Sequence, residues 1–145
     1  MRLAFSIEIE RSVEDIYELV GNPENDVKWQ DAVVEVHKLT PGPIQAGSRY
    51  RHTLRIFGKR MGIDVEVIER QLHSGYVLQC RSAPFDFETR VQLRHRGRAT
   101  LLDTIIEGRP TGAARVAAVV LSRHRSGEIE RDLHKLKRLM ESGKL

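Results

Sequence analysis

Residues 48–67 read SRYRHTLRIFGKRMGIDVEV, and their period of two decides the fold. Tyr50, His52, Leu54 and Ile56 fall on one face, while Arg49, Arg51, Thr53 and Arg55 fall on the other. Successive side chains of an extended strand point to opposite faces, so this spacing predicts a half-buried strand with a charged outer surface. Gly58 and Gly62 then predict a short turn around Lys59 and Arg60, followed by Met61, Ile63, Val65 and Val67 alternating with charged positions. Two alternating runs joined this closely make an antiparallel pair.

The same pattern continues outward. His73-Ser74-Gly75 turns the chain into Tyr76, Leu78 and Cys80, and Phe85, Phe87, Thr89, Val91 and Leu93 form a further alternation. Arg96-Gly97 is the last hairpin turn, before a strand over 99–106. Upstream, 32–39 is rich in β-branched residues and stops at Pro41-Gly42-Pro43. The result is six consecutive strands with short turns, which is the pattern of an antiparallel meander with one covered face. A seventh strand opens the chain, where Leu3, Phe5, Ile7 and Ile9 alternate with smaller or charged residues.

Two helical stretches separate that first strand from the meander. Ser12 is a suitable N-cap, Glu14 and Asp15 put negative charge in the first turn, and Ile16, Leu19 and Val20 form a stripe. After Gly21-Asn22, Pro23 opens another helical turn reaching Trp29, with Val27 expected to face inward. At the far end, Ile129, Leu133, Leu136 and Met140 are spaced four, three and four, the period of a long amphipathic helix. Extending the stripe backward meets Ser126, Ser122 and Ala118. A helix packed tightly on a sheet keeps large residues throughout, so small residues over one half point to a cavity beneath it. Ser126-Gly127 is alternatively a kink or break in the helix.

The chain is 145 residues long and is read as a single domain over 1–145. Hydrophobic residues make up 40% and charged residues 30%, an ordinary globular balance that excludes a disordered chain. The longest nearly apolar run, 116–121, is far short of the ~20 residues a membrane span needs. The opening residues read as a strand and not a leader, so a cytoplasmic protein without membrane insertion is expected. The single cysteine, Cys80, rules out an intramolecular disulfide and reads as a small buried hydrophobe. The net charge of +4 raises nucleic-acid binding, but Asp64, Glu66, Asp86 and Glu88 interleave with the strand arginines. A charge-mixed outer sheet is the simpler reading, and no specific nucleic acid is expected. The six histidines are scattered without ligand spacing and no phosphate loop is present, so neither a metal nor a cofactor is expected.

In the stretch 6–25, SIEIERSVEDIYELVGNPEN, with Trp29 after it and GEIERDLHKLKRLMES at 127–142, the chain resembles the polyketide cyclase/dehydrase-like branch of the START-like (SRPBCC) superfamily. The resemblance implies an α+β helix-grip fold: a curved antiparallel sheet of about seven strands, in the order β-α-α-β6-α, wrapped around the C-terminal helix. It also implies an apolar ligand, a lipid or polyketide-like molecule, held between sheet and helix. The motifs that carry it bear on the fold and not on catalysis.

Within that frame the inward face supplies Tyr50, His52, Leu54, Tyr76, Phe87 and Thr89 as expected ligand contacts, joined by Ala118, Ser122 and Ser126 from the helix. His52, Tyr76 and Asp103 are the candidates for acid–base chemistry, His52 because its pKa normally lies near working pH. Asp103 faces inward or outward depending on the register of the last strand. Arg125, at the edge of the helix stripe, is expected to snorkel to solvent. Binding and carriage of an apolar molecule and a cyclase- or dehydratase-type enzyme remain as alternatives. The oligomeric state is not legible.

Overall fold

The structure, a computed structural model, describes the backbone of residues 1–82, 85–108 and 114–145, and the side chains of 1–81, 86–108 and 125–145. Strand β1 (Arg2–Ile9) leads into helix α1 (Val13–Val20) and a 3₁₀ turn (Pro23–Lys28). Six strands follow: β2 (Val33–Lys38), β3 (Arg49–Ile56), β4 (Lys59–Gln71), β5 (Gly75–Ser82), β6 (Phe85–Arg96) and β7 (Ala99–Gly108). Helix α2 (Ala114–Glu141) ends the fold. All neighbouring strands pair antiparallel in the order β1-β7-β6-β5-β4-β3-β2, so the meander is closed on one side by the N-terminal strand.

Local chemistry accounts for the boundaries. The Ser12 side chain accepts from Asp15 N–H at the start of α1, and Asn22 accepts from Glu24 N–H at the start of the 3₁₀ turn. The β3–β4 hairpin is tighter than the glycines suggest. Ile56 pairs with Lys59, leaving Phe57 (φ 51°) and Gly58 (φ 76°) as a two-residue turn. Two positive φ values in succession match the twist of the flanking strands, so Lys59 and Arg60 belong to β4 and not to the turn. At the other end of the chain, Gly143 (φ 76°) closes α2, with Lys144 N–H donating to Leu139 O and Gly143 N–H to Met140 O.

Helix α2 runs without interruption past Ser126-Gly127, so the break considered from the sequence does not occur. Its C-terminal half is fastened to the start of the chain. Glu141 accepts from Glu10 N–H, Arg11 donates to Glu141 O, and Lys137 donates to Glu8 O. There Leu133, Leu136 and Met140 pack with Ile7, Ile9, Val13, Ile16 and Val20 in the main core. A second apolar cluster, of Val33, Leu54, Ile56, Ile63, Val65 and Cys80, is built by the sheet and the residues that border it. The outer face carries paired charges: Arg51 grips Asp64 with two hydrogen bonds, and Arg90 reaches Glu88 and Glu69. Among the described residues no helix is long and apolar enough to cross a membrane.

Candidate functional site

The curved sheet and α2 enclose a cavity of about 210 Å³. Its apolar wall comes from alternate residues of the meander: Leu54 and Ile56 on β3, Ile63 and Val65 on β4, Leu78 on β5, Phe87 and Val91 on β6, Leu102 and Ile106 on β7. Alternation brings His52, Tyr76, Thr89 and Thr104 to the same surface. Of the ligand contacts expected from sequence, His52, Leu54, Tyr76, Phe87 and Thr89 line this cavity. Tyr50 is fully buried on the same strand face but is not part of the cavity wall. Burial raises the pKa of its hydroxyl, with Glu24 adding to the rise, and the hydroxyl has no hydrogen-bond partner among the described residues. Ser126 is half-buried and does not line the cavity, while Ala118 and Ser122 lie outside the described side chains.

Asp103 projects from the opposite face. Its neighbours Leu102 and Thr104 point into the cavity, while its own carboxylate accepts from Ser6 Oγ and, at 2.6 Å, from Arg94. Burial pushes that carboxyl up, but the Ser6 hydroxyl and Arg94 outweigh it and hold it below the usual range. The β1–β7–β6 register thus settles the ambiguity against an inward Asp103, and the residue is out of reach of anything in the cavity.

The carboxylates that do reach the cavity were not singled out from sequence. The first is Asp26, in the 3₁₀ turn. Three residues per turn place Pro23, Asp26 and Trp29 on one side, and all three are buried. Val27, expected to face inward, is instead exposed. Asp26 Oδ2 lies 3.0 Å from His52 Nε2 in a pair whose side chains are both more than nine-tenths buried. Burial raises the Asp26 pKa and His52 partly offsets it. The other ring nitrogen, His52 Nδ1, has no hydrogen-bond partner among the described residues. Trp29 also lines the cavity, and its indole Nε1–H likewise lacks a partner among them.

The second is Asp132 on α2, 6% exposed. Its Oδ1 accepts from Asp31 N–H at 3.2 Å, while Lys135 holds the Asp31 side chain at 2.7 Å. The short segment 26–31 therefore bridges the sheet, through His52, to the helix, through Asp132. Burial is the main reason the Asp132 carboxyl is pushed up to about 6. Ile129, Asp132 and Leu136 are spaced three and four, so the residue sits within the apolar stripe that the hydrophobic positions already defined. Arg125 completes this wall. It turns to Glu128 at 2.6 Å, one turn along the same helix, and does not snorkel free of the interior. Among the described residues no cluster of three His, Cys, Asp or Glu side chains is arranged to hold a metal ion.

Comparison with known proteins agrees with this architecture. No curated protein sequence matches the chain. Its fold is similar to that of TTHA0849 from Thermus thermophilus, with a TM-score of 0.82 and 14% identity over 100% of both chains. A START superfamily protein from Mycobacterium smegmatis gives a TM-score of 0.75 at 17% identity, covering 96% of this chain and 98% of that one. The di-domain aromatase/cyclase BexL of the BE-7585A biosynthetic pathway gives 0.72 at 15% identity, covering 97% of this chain and 46% of that one. At such identities the likeness is one of fold, the START-like helix grip. Over residues 1–141 the sequence also matches the family model described as polyketide cyclase/dehydrase and lipid transport, and the chain belongs to that family.

Proposed function

We propose that the protein binds and carries a hydrophobic small molecule, lipid or polyketide-like, in the cavity between sheet and α2. The observation that supports this is the cavity of about 210 Å³, walled mainly by aliphatic and aromatic side chains with a few polar groups set among them. Leu54, Phe87 and their neighbours supply apolar contact, and His52, Tyr76 and Thr89 orient the polar part of the ligand. Native mass spectrometry of the purified protein tests the proposal, with a co-purified apolar molecule expected. Trp29, the single tryptophan of the chain and part of the cavity wall, reports binding by its fluorescence. A protein that carries no ligand and whose Trp29 emission ignores every apolar probe overturns it.

A second reading is an acid–base enzyme of the cyclase or dehydratase type. It is favoured by one feature, the buried Asp26–His52 pair in the cavity wall. A carboxylate that orients a histidine through one ring nitrogen leaves the other able to take a proton from a substrate. Tyr76, whose hydroxyl burial raises strongly, is suited to donate a hydrogen bond to a substrate carbonyl without ionising. His52→Ala separates the two readings. Turnover lost with apolar binding retained supports catalysis, and binding unaccompanied by any turnover in the unaltered protein supports carriage.

A further inference from the structure

We infer that the tip of the β3–β4 hairpin docks the protein on an anionic lipid surface, with Phe57 entering the headgroup region and Arg55, Lys59 and Arg60 meeting lipid phosphates. This adds a surface to the binding reading above, and the two stand or fall separately.

The hairpin projects from the sheet. β5 pairs with β4 only from Val65 onward, and β2 pairs with β3 only as far as Leu54, beyond which Arg55 N–H still donates to Ala32 O. Ile56 to Lys59 therefore reach past both neighbouring strands. The strand directions put this tip at the same end of the sheet as Met1, and Met1, Ile56 and Ile63 all line the cavity. A surface met by the tip is thus met beside the cavity.

Two features of the tip run against the local rules of a hairpin. Phe57 is 64% exposed and holds φ 51°. That position of the turn favours asparagine, aspartate or glycine, and a bulky side chain at positive φ is strained. Arg55 and Arg60 face one another across the hairpin, a pairing of like charges. Both are exposed, as is Lys59 opposite Ile56. Among the described residues none of these three side chains has a hydrogen bond or ion pair. The carboxylates of the surrounding strands and turns are met by other groups: Asp64 by Arg51, Glu35 by His37, Asp31 by Lys135 and Glu107 by Arg2, while Asp86 lies opposite Arg81. The side chains outside the description, 82–85 and 109–124, include no Asp or Glu.

Strain and like charge kept at an exposed tip are the mark of a contact made there and not of packing. An aromatic ring flanked by cations matches the boundary of an anionic bilayer, where the ring enters the headgroup and acyl boundary and the cations meet the negative surface. A nucleic acid duplex answers the cations but leaves Phe57 in water. The apolar cavity beside the tip favours lipid further, because an apolar ligand then passes between membrane and cavity without crossing water.

Cosedimentation with vesicles of equal parts phosphatidylcholine and phosphatidylglycerol tests the inference, against vesicles of phosphatidylcholine alone. The mixed vesicles are expected to bind about tenfold or more tighter, and less tightly as salt is added. Phe57→Asn suits the positive φ, so it should raise the thermal midpoint while weakening vesicle binding about tenfold. Arg55→Gln combined with Arg60→Gln relieves the like-charge pair and should weaken binding about tenfold or more. Arg98→Gln removes a charge at the opposite end of the sheet and should leave binding unchanged. The inference is overturned if neutral vesicles bind as tightly as mixed ones, or if Phe57→Asn or the double variant binds like the unaltered protein. It is also overturned if Phe57→Asn lowers the midpoint, or if Arg98→Gln weakens binding as much as the double variant. Duplex DNA or polyglutamate bound as tightly as the mixed vesicles, and weakened by the same variants, overturns it in favour of another polyanion. Ligand binding read by Trp29 without vesicles is untouched by any of these results.

Discussion

The interior between sheet and helix is closed at one end and open at the other, although both ends are built from the same kinds of aliphatic side chain. At the closed end α2 contributes Leu136 and Met140, and α1 adds Val13 and Ile16, none of which lines the cavity. At the open end the sheet side presents Val33, Leu54, Ile56, Ile63 and Val65, and among the described residues no α2 side chain joins their cluster. Facing the cavity the described part of the helix offers Ile129 and Leu133 together with Arg125 and Asp132, whose polar ends are held by Glu128 and Asp31. A close-packed interior needs large apolar side chains from both layers. Where Arg125 and Asp132 take the place of large apolar side chains, that packing is interrupted.

The largest expected effect breaks this contrast on stability. Leu136→Ala removes a fully buried side chain of the main core and should cost about 3–5 kcal/mol. Leu54→Ala trims a cavity wall that already faces open space, so it should cost no more than about 2 kcal/mol. Urea unfolding of both variants checks the pair, and equal losses would mean that the open end is as well packed as the closed one.

The next effect concerns the hydrogen-bonded pair at the open end. His52→Leu strands Asp26 in the cavity wall and should cost about 3 kcal/mol at neutral pH. The sign with pH follows from the raised Asp26 pKa. In the unfolded chain the carboxyl ionises at its ordinary value, while in the folded variant it resists ionising. The penalty is therefore absent below the ordinary carboxylate pKa and grows as pH rises through and above it. Unfolding curves at acidic and neutral pH should converge with the unaltered protein only at the acidic end.

Asp132 gives a smaller effect of the same kind. Its carboxyl is pushed up to about 6, so folding is penalised as pH climbs from the ordinary carboxylate value to that point, and the penalty stays constant above it. Asp132→Asn, which retains the acceptor for Asp31 N–H, should stabilise the empty protein by about 1 kcal/mol at neutral pH and not at all in acid. A thermal melt series across pH is sufficient to see it. Stabilisation on loss of this carboxylate would show that its charge does not serve the fold.

These residues also mark how far the sequence could be read. Strands, turns and the long helix were legible because period and breakers agree along the chain, and the inward placement of His52, Tyr76 and Thr89 followed from strand alternation alone. Asp26 was not legible, because the turn after Pro23 is too short for its period to show in the sequence. Its 3₁₀ spacing buries residues three apart and turns Val27 outward instead. Asp132 and Arg125 sit on a stripe that was recognised only through its apolar members. Their positions were fixed by spacing, but their inward course depends on partners, Asp31 N–H and Glu128, that periodicity does not reveal. The unbroken course of α2 past Gly127 is a similar case: tertiary fastening of the helix overrides the weak local propensity of a Ser-Gly pair.

The smallest effect sharpens the comparison from outside. Asp103 has a well-partnered carboxylate, accepting from Ser6 and Arg94, but it lies on the outer face of β7. Its pKa is lowered, so the stability it contributes is present above the ordinary carboxylate value and is lost as pH falls through its folded value. The sign is opposite to that of Asp132. Because Arg94 is mostly exposed, Asp103→Asn should cost less than about 1 kcal/mol in unfolding experiments. The same variant should leave the affinity for every cavity probe unchanged, since the sheet separates the two faces. A change in probe affinity on Asp103→Asn would show that charge on the outer face reaches the cavity, and the separation of the two faces of the sheet would fail.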